Sequence, residues 1–243
     1  MRTSCLIISV ALLAMVSFSQ ADFTPITTPI PGELGHAEIL SAIYGGTFTP
    51  SGVNFSNGTI TAVRVPDFPL SGSQSLVGPI GATDQIWDDG FAKATAQAAY
   101  STMPDKTFGY VSGASGAGYT KLFDIGGYGL AVTGSADLNM QGMTWRWAQT
   151  YQGFFGTVGH SSAEADNPNA QDRMVTYQIN GLADDFTTWM LCWEDQDTGD
   201  IGVDDFNDVV IAVKGTAVPV PGALVLGALG LGLVGWYQRR HVA

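Results

Sequence analysis

Residues 187–214 read TTWMLCWEDQDTGDIGVDDFNDVVIAVK, and this stretch decides the fold that the sequence predicts. Two runs rich in apolar and β-branched residues, 187–194 and 208–214, are typical of strands. Side chains two positions apart share one face of a strand; here they are Trp189, Leu191 and Trp193 in the first run and Val209, Ile211 and Val213 in the second. If the two strands pair as neighbours, the ends of the loop between them are brought together.

The loop between these strands is acidic, since seven of the fifteen residues 194–208 are carboxylates and none is basic. Two like charges 4 Å apart repel by about 1 kcal/mol even in water, so converging carboxylates need a counterion. Oxygen ligands without His or Cys suit Ca²⁺, which takes about six to eight oxygens. The predicted ligands are Glu194, Asp195, Asp204, Asn207 and Asp208, with Asp197 and Asp200 as alternatives. The other interpretation is a solvated hairpin tip that binds nothing specific.

The rest of the chain is also predicted to be mainly strand. Short β-branched and aromatic runs separated by Gly-rich turns indicate a β-sandwich or jelly roll with one or two helices. The predicted helices are 35–44 and 84–101, the second from apolar residues at helical spacing. The other predicted strands are 59–65, 107–111, 119–125, 129–133, 143–151 and 174–179, and residues 152–172 are predicted to form a long surface loop.

The composition excludes several classes of protein. The 243 residues are 45% hydrophobic and 13% charged and include 31 glycines, which is typical of a globular chain and not of a coiled coil. The net charge is −12, and the basic residues are few and scattered. A nucleic-acid partner is therefore excluded, because phosphate binding needs a concentrated basic surface.

No catalytic pattern stands out, and the protein is predicted not to be an enzyme. Gly113–Ala117 approaches the nucleophile elbow of hydrolases, but Ala117 stands where that motif has its final glycine. Cys192 alternates with apolar strand residues and is predicted to be a small core residue. The tryptophans could stack on sugar rings, but their strand positions favour the core. The alternative is a polysaccharide hydrolase, which would need only two suitably spaced carboxylates.

Residues 1–21 have the features of a secretory signal peptide, so signal peptidase is an expected partner. Arg2 supplies the positive charge, residues 6–16 form the apolar core, and Ser19 to Ala21 form a small-residue cleavage site. The exported domain is then predicted to be 22–217. It contains all 22 acidic residues and only seven basic ones, so it is expected to be soluble and to attract cations.

The last segment, 218–243, is predicted to be a sorting signal with a transmembrane helix. Residues 218–237 carry no charged side chain, and a basic pair follows them. This uncharged stretch is about as long as a helix must be to cross a bilayer. The motif residues are Val218, Pro219, Val220, Pro221, Arg239 and Arg240. This order of features resembles the PEP-CTERM sorting signal of Gram-negative bacteria, in which Glu is most common where this chain has Val220. The resemblance implies processing by an exosortase, a membrane cysteine protease of bacteria that export polysaccharide.

Residues 172–214 resemble the end of the DUF4114-type domain of exported bacterial proteins. The similarity lies in a hydrophobic strand followed by Glu194 and Asp195, and then in the segment 204–210. Residues 172–177 are similar to the strand that precedes these segments in that domain. The resemblance implies an extracellular β-rich module that is often associated with calcium.

These features predict an exported, non-catalytic protein of the cell surface or extracellular matrix. The C-terminal helix would anchor it in the membrane until the tail is processed. The sorting resemblance implies an adhesive or structural role in an exopolysaccharide layer such as a biofilm. The alternative is a secreted carbohydrate-binding protein or hydrolase.

Overall fold

The structure is a computed structural model that describes residues 23–67, 84–88, 90–112, 118–140, 144–153, 156–184, 186–195 and 204–215. The predicted signal peptide and the predicted sorting segment lie outside these ranges, as do Asp197, Asp200 and the segment Gly113–Ala117. Within the described part of the chain, no helix is long and apolar enough to cross a lipid bilayer.

Strands dominate the described residues, so the protein is mainly β, as the sequence predicts. The α-helix α1 is His36–Tyr44, and two 3₁₀ helices are Glu164–Asp166 and Pro168–Ala170. The strands are β1 (Thr49–Ser51), β2 (Asn54–Ser56), β3 (Thr61–Arg64), β4 (Trp87–Asp88), β5 (Phe91–Ala99), β6 (Thr107–Ser112), β7 (Tyr119–Asp124), β8 (Gly126–Tyr128), β9 (Ala131–Thr133), β10 (Ser135–Asp137), β11 (Thr144–Gly153), β12 (Gly156–Ser161), β13 (Met174–Asn180), β14 (Thr187–Trp193) and β15 (Val209–Gly215).

The larger sheet has eight strands in the order β1-β2-β3-β13-β14-β15-β5-β10. Strands β14 and β15 are antiparallel neighbours, with Trp193 opposite Val209 and Thr187 opposite Gly215. The condition on which the sequence argument depended, that these two strands pair as neighbours, is met. Because Trp193 and Val209 face each other, the chain leaves β14 and enters β15 at the same end of the sheet.

A five-stranded sheet packs on one face of the larger sheet. Its order is β12-β11-β6-β7, with β4 also paired to β11. The shared core is aromatic, and Trp147 of β11 lies 5.4 Å from Phe91 and 5.2 Å from Phe108 between ring centroids. Two antiparallel sheets that share one core are consistent with a β-sandwich.

Helix α1 covers the opposite face of the larger sheet. Its residues Ile39 and Leu40 are fully buried in a second apolar core that also contains Tyr177 of β13. The helix ends at Gly45, which has φ +77° and donates its N–H to the Ser41 carbonyl oxygen at 3.0 Å. A positive φ at this position suits glycine. The helix predicted at 35–44 is therefore confirmed.

The helix predicted over 84–101 is wrong, because most of this segment is the strand β5. Strand β5 pairs with β15 and β10, and its alanines enter both cores: Ala94 and Ala96 face the aromatic core, and Ala98 faces the core under α1. A strand buried on both faces is apolar without a clean alternation, so its pattern resembles that of a buried helix. Sheet pairing here overrides the helix propensity of alanine.

The surface loop predicted over 152–172 is also wrong. Strand β11 extends to Gly153, β12 pairs with it, and the two 3₁₀ helices follow. His160 consequently lies on β12 opposite Gln149, where its side chain is buried. Strand β12 is rich in glycine and polar residues, so its sequence lacks the apolar pattern that predicts a strand. It lies at the edge of its sheet, where backbone pairing holds it more than apolar side chains do.

Candidate cation site

Three acidic side chains meet where β14 ends and β15 begins. Glu194 and Asp195 follow the last residue of β14, and Asp208 precedes the first residue of β15. One oxygen of each carboxylate lies within 4.8 Å of the other two. The side chains are buried, since their residues are 2, 3 and 8% exposed. This acidic triad could hold a metal ion.

Asp208 shows the electrostatic cost of this convergence. Burial raises the pKa of Asp208 most, and the charges of Glu194 and Asp195 raise it further, to about 11. The Asp195 backbone N–H opposes this rise by donating to Asp208 Oδ2 at 2.9 Å. Without a cation, the triad therefore retains a proton at neutral pH, because three buried like charges cannot all ionise cheaply.

Further oxygen atoms near the triad lack hydrogen-bond partners. Among the described residues, no hydrogen bond reaches Asp195 Oδ2, Asp205 Oδ2 or Asn207 Oδ1, although all three atoms are buried. Most buried acceptors in native proteins are paired, so unpaired ones point to an ion or water. Burial also raises the pKa of Asp205, and the charge of Asp195 adds to that rise.

The sequence did not single out Glu33, which the fold brings to the edge of this site. Burial raises the pKa of Glu33, the Asp205 and Asp195 charges raise it further, and a hydrogen bond with the Asn207 side chain lowers it. Glu33 lies in the turn before α1, far from the acidic loop in the chain. No local pattern in the sequence links it to that loop.

The five-stranded sheet supports the triad from below. Gln149 Nε2 lies 3.2 Å from the Glu194 carbonyl oxygen, and His160 Nδ1 lies 3.1 Å from the same oxygen. The Tyr151 hydroxyl donates to the Asp195 carbonyl oxygen. These contacts hold the backbone of two triad residues in place.

The predicted ligands divide into two groups in the structure. Glu194, Asp195 and Asp208 are brought together, and Asn207 is fully buried beside them with its Nδ2 donating to the Leu34 carbonyl oxygen at 3.1 Å. Asp204 is exposed and is not one of the three acids whose oxygens meet, and its backbone carbonyl oxygen accepts the Thr27 N–H at 2.9 Å. Its role as a ligand stays a prediction.

The tryptophans of the described residues lie in the aromatic core, as their strand positions predict: they are Trp87, Trp145, Trp147, Trp189 and Trp193. They present no face to a sugar. Cys192 is fully buried in the core under α1, and burial raises the pKa of its thiol. A buried neutral thiol is a packing residue and not a nucleophile.

No protein-family model matches this chain, and no curated protein is significantly similar to it.

Proposed function

We propose that this chain is an exported, non-catalytic surface or matrix protein whose β-sandwich is stabilised by calcium. The observation that carries the proposal is the buried acidic triad at the β14–β15 junction. Carboxylate oxygens are hard ligands, and the site offers neither imidazole nor thiolate among its three members. Such a donor set favours Ca²⁺ over transition metals.

The calcium ion would have a structural role at this place. It would neutralise carboxylates that otherwise repel one another at the junction of β14 and β15. It would thereby stabilise the pairing of these two strands at that end of the larger sheet. Ca²⁺ prefers about six to eight oxygen ligands. Asn207 and Asp205 supply further buried oxygens toward that number.

Export and a role in an exopolysaccharide layer rest on the sequence. The N-terminal signal, the PEP-CTERM-like tail and the DUF4114-like stretch 172–214 all favour an extracellular protein. The acidic body would repel anionic polymers unless divalent ions bridged the two. An adhesive or structural role in a polysaccharide matrix with calcium present is consistent with that charge.

The first test is thermal unfolding of the purified protein in Ca²⁺ and in chelator. At a free Ca²⁺ concentration of 100 times the dissociation constant, the free energy of unfolding should rise by about 2.7 kcal/mol. Asp208→Asn should abolish most of this rise. Equal unfolding midpoints in chelator and in millimolar Ca²⁺ would remove calcium from the proposal.

A further inference from the structure

The chain before helix α1 packs against the loop that carries part of the cation site. Residues 23–34, here called the N-terminal arm, form no helix or strand, and each of them is half-buried or exposed. Residues 23–29 also line a cavity of about 650 Å³. Only Ile26 and Leu34 of the arm pack against the core under α1. Because few apolar contacts hold the arm, its position depends strongly on its polar contacts.

The polar contacts of the arm lead to the residues just before Asp208. The Thr27 N–H donates to the Asp204 carbonyl oxygen at 2.9 Å. From the other side, Asn207 Nδ2 donates to the Leu34 carbonyl oxygen at 3.1 Å. The backbone of the arm is thereby joined to residues 204–207, which directly precede Asp208 of the acidic triad.

The arm also brings a carboxylate to this site. Burial raises the pKa of Glu33, and the charges of Asp205 and Asp195 raise it further. The Asn207 side chain forms a hydrogen bond with the Glu33 carboxylate, and the Ile30 N–H forms one with the Asp205 carboxylate. Like charges from two segments repel each other. Without a cation, the charge of Glu33 therefore opposes the docking of the arm.

The orientation of the Asn207 side chain is an independent observation that points to a cation. Its Nδ2 faces the Leu34 carbonyl oxygen, and exchanging the two ends of the amide would place two acceptors together. The other end is therefore Oδ1, which is buried and has no hydrogen-bond partner among the described residues. Most buried acceptors in native proteins are paired. A hard cation is the partner that a neutral amide oxygen shares with neighbouring carboxylates.

We propose that Ca²⁺ binding at the acidic triad and docking of the N-terminal arm are coupled, so that the cation holds the arm against residues 204–207. The inference rests on the proposed calcium site. The cation would remove the repulsion between Glu33 and the acids of the loop. Asn207 would bond the arm through Nδ2 and the cation through Oδ1. Coupling is reciprocal, so the docked arm must in turn raise the affinity for Ca²⁺.

The test is hydrogen–deuterium exchange of the full-length protein in Ca²⁺ and in chelator, together with calorimetric titration of Ca²⁺. Amides of the arm exchange through local opening. Because the cation favours the docked arm, their exchange should slow by up to about 100-fold when Ca²⁺ is at about 100 times its dissociation constant. Peptides from β1 and β2 are the control, because β3 and β13 separate this edge of the larger sheet from β14. Their exchange should not change.

Two substitutions extend the test to the affinity for Ca²⁺. Glu33→Gln should weaken binding by about fivefold or more, which is the range typical of coupled sites. Glu38→Gln is the matched control, because it makes the same change at an exposed position in the first turn of α1. It should leave the affinity unaltered. Asp208→Asn should abolish the slowing of exchange in the arm.

The coupling and the calcium site fail separately in this experiment. If wild type binds Ca²⁺ but the arm exchanges equally fast in Ca²⁺ and in chelator, the coupling is wrong and the calcium site stands. If wild type binds no Ca²⁺, both are overturned. Equal affinities of Glu33→Gln and Glu38→Gln would also contradict the coupling. The wild-type comparison needs no variant, so it decides the question even where Asp208→Asn does not fold.

Discussion

Asp208 illustrates how one side chain couples the sheet to its ionic surroundings. Its pKa of about 11 results from burial first and from the charges of Glu194 and Asp195 second. An unfolded aspartate has a pKa of about 3.9, so the folded protein without cation keeps a proton that the unfolded chain releases. Stability then falls as the pH rises from about 4 toward the folded pKa, because the folded state binds more protons.

We therefore expect the protein in chelator to lose stability between pH 7 and 9. Each retained proton lowers the free energy of unfolding by at most about 1.4 kcal/mol per pH unit, and burial raises the pKa of Asp84 as well as that of Asp208. His36 does not contribute in this range, since burial lowers its pKa to about 4. Thermal unfolding at constant ionic strength measures the slope.

Asp208→Asn should reduce this slope, and Asp124→Asn should leave it unchanged. Asp124 is a suitable control because it is an exposed carboxylate paired with Lys121 at 3.0 Å. Saturating Ca²⁺ should also reduce the slope, because it displaces the proton. A slope that is the same in Asp208→Asn as in wild type would show that other groups cause the pH dependence.

Phe206 connects the acidic site to helix α1 through its backbone N–H and carbonyl oxygen. It is fully buried and has φ +55°, a conformation that is uncommon outside glycine. Its N–H faces Glu194 Oε2 at 3.5 Å, and its carbonyl oxygen lies 3.0 Å from His36 Nε2. The surrounding contacts stabilise this conformation, and it joins the triad to the helix that covers the sheet.

At the scale of elements, β11 joins the two sheets through its tryptophans. Trp145 and Trp147 share one face of β11, and Trp147 also packs against Trp87 of β4 at a ring-centroid distance of 6.2 Å. Phe91 of β5 contacts the same ring from the larger sheet. The packing between the two sheets therefore depends on a few large aromatic rings.

Trp147→Ala should destabilise the protein by roughly 3 to 5 kcal/mol, because it removes buried ring contacts and leaves a cavity. Urea unfolding monitored by circular dichroism measures the change. Leu130, which is 43% exposed, provides the control, and Leu130→Ala should change stability by less than about 0.5 kcal/mol. A similar small effect of Trp147→Ala would mean that this core is not tightly packed.

At the scale of the whole molecule, the structure has three layers: α1, the eight-stranded sheet and the five-stranded sheet. Asp172 lies two residues before Met174, which pairs with Trp193 at the end of β14. Asp172 and the acidic triad therefore both lie where β14 ends and β13 begins. A cation in the triad would stabilise this end of the larger sheet.

The proposed export makes a prediction about the mass of the mature protein. Protein recovered from the surface or medium of the producing cell should begin at Asp22, because the predicted cleavage site follows Ala21. It should also lack most of the segment 218–243. Intact-mass spectrometry measures both ends, and a surface protein that retains this segment would contradict processing by an exosortase.

Much of the fold and part of the site could be predicted from the sequence. The β14–β15 hairpin, α1 and the burial of the tryptophans follow from periodicity and turn residues, which act over a few positions. The same local reasoning failed for β5, because burial on both faces removes the alternation that marks a strand. It also missed β12, whose sequence is rich in glycine and polar residues.

The sequence by itself determined that the loop between β14 and β15 is crowded with carboxylates, and that Glu194, Asp195 and Asp208 stand at its two ends. Only the tertiary structure decided that Glu33 approaches this site and that the charges of Asp67 and Asp172 act on the buried Asp84. The physical reason is the distance along the chain over which sequence patterns act. Periodicity reports neighbours along the chain, whereas the convergence of distant carboxylates depends on strand order and on which segments the two cores bring together.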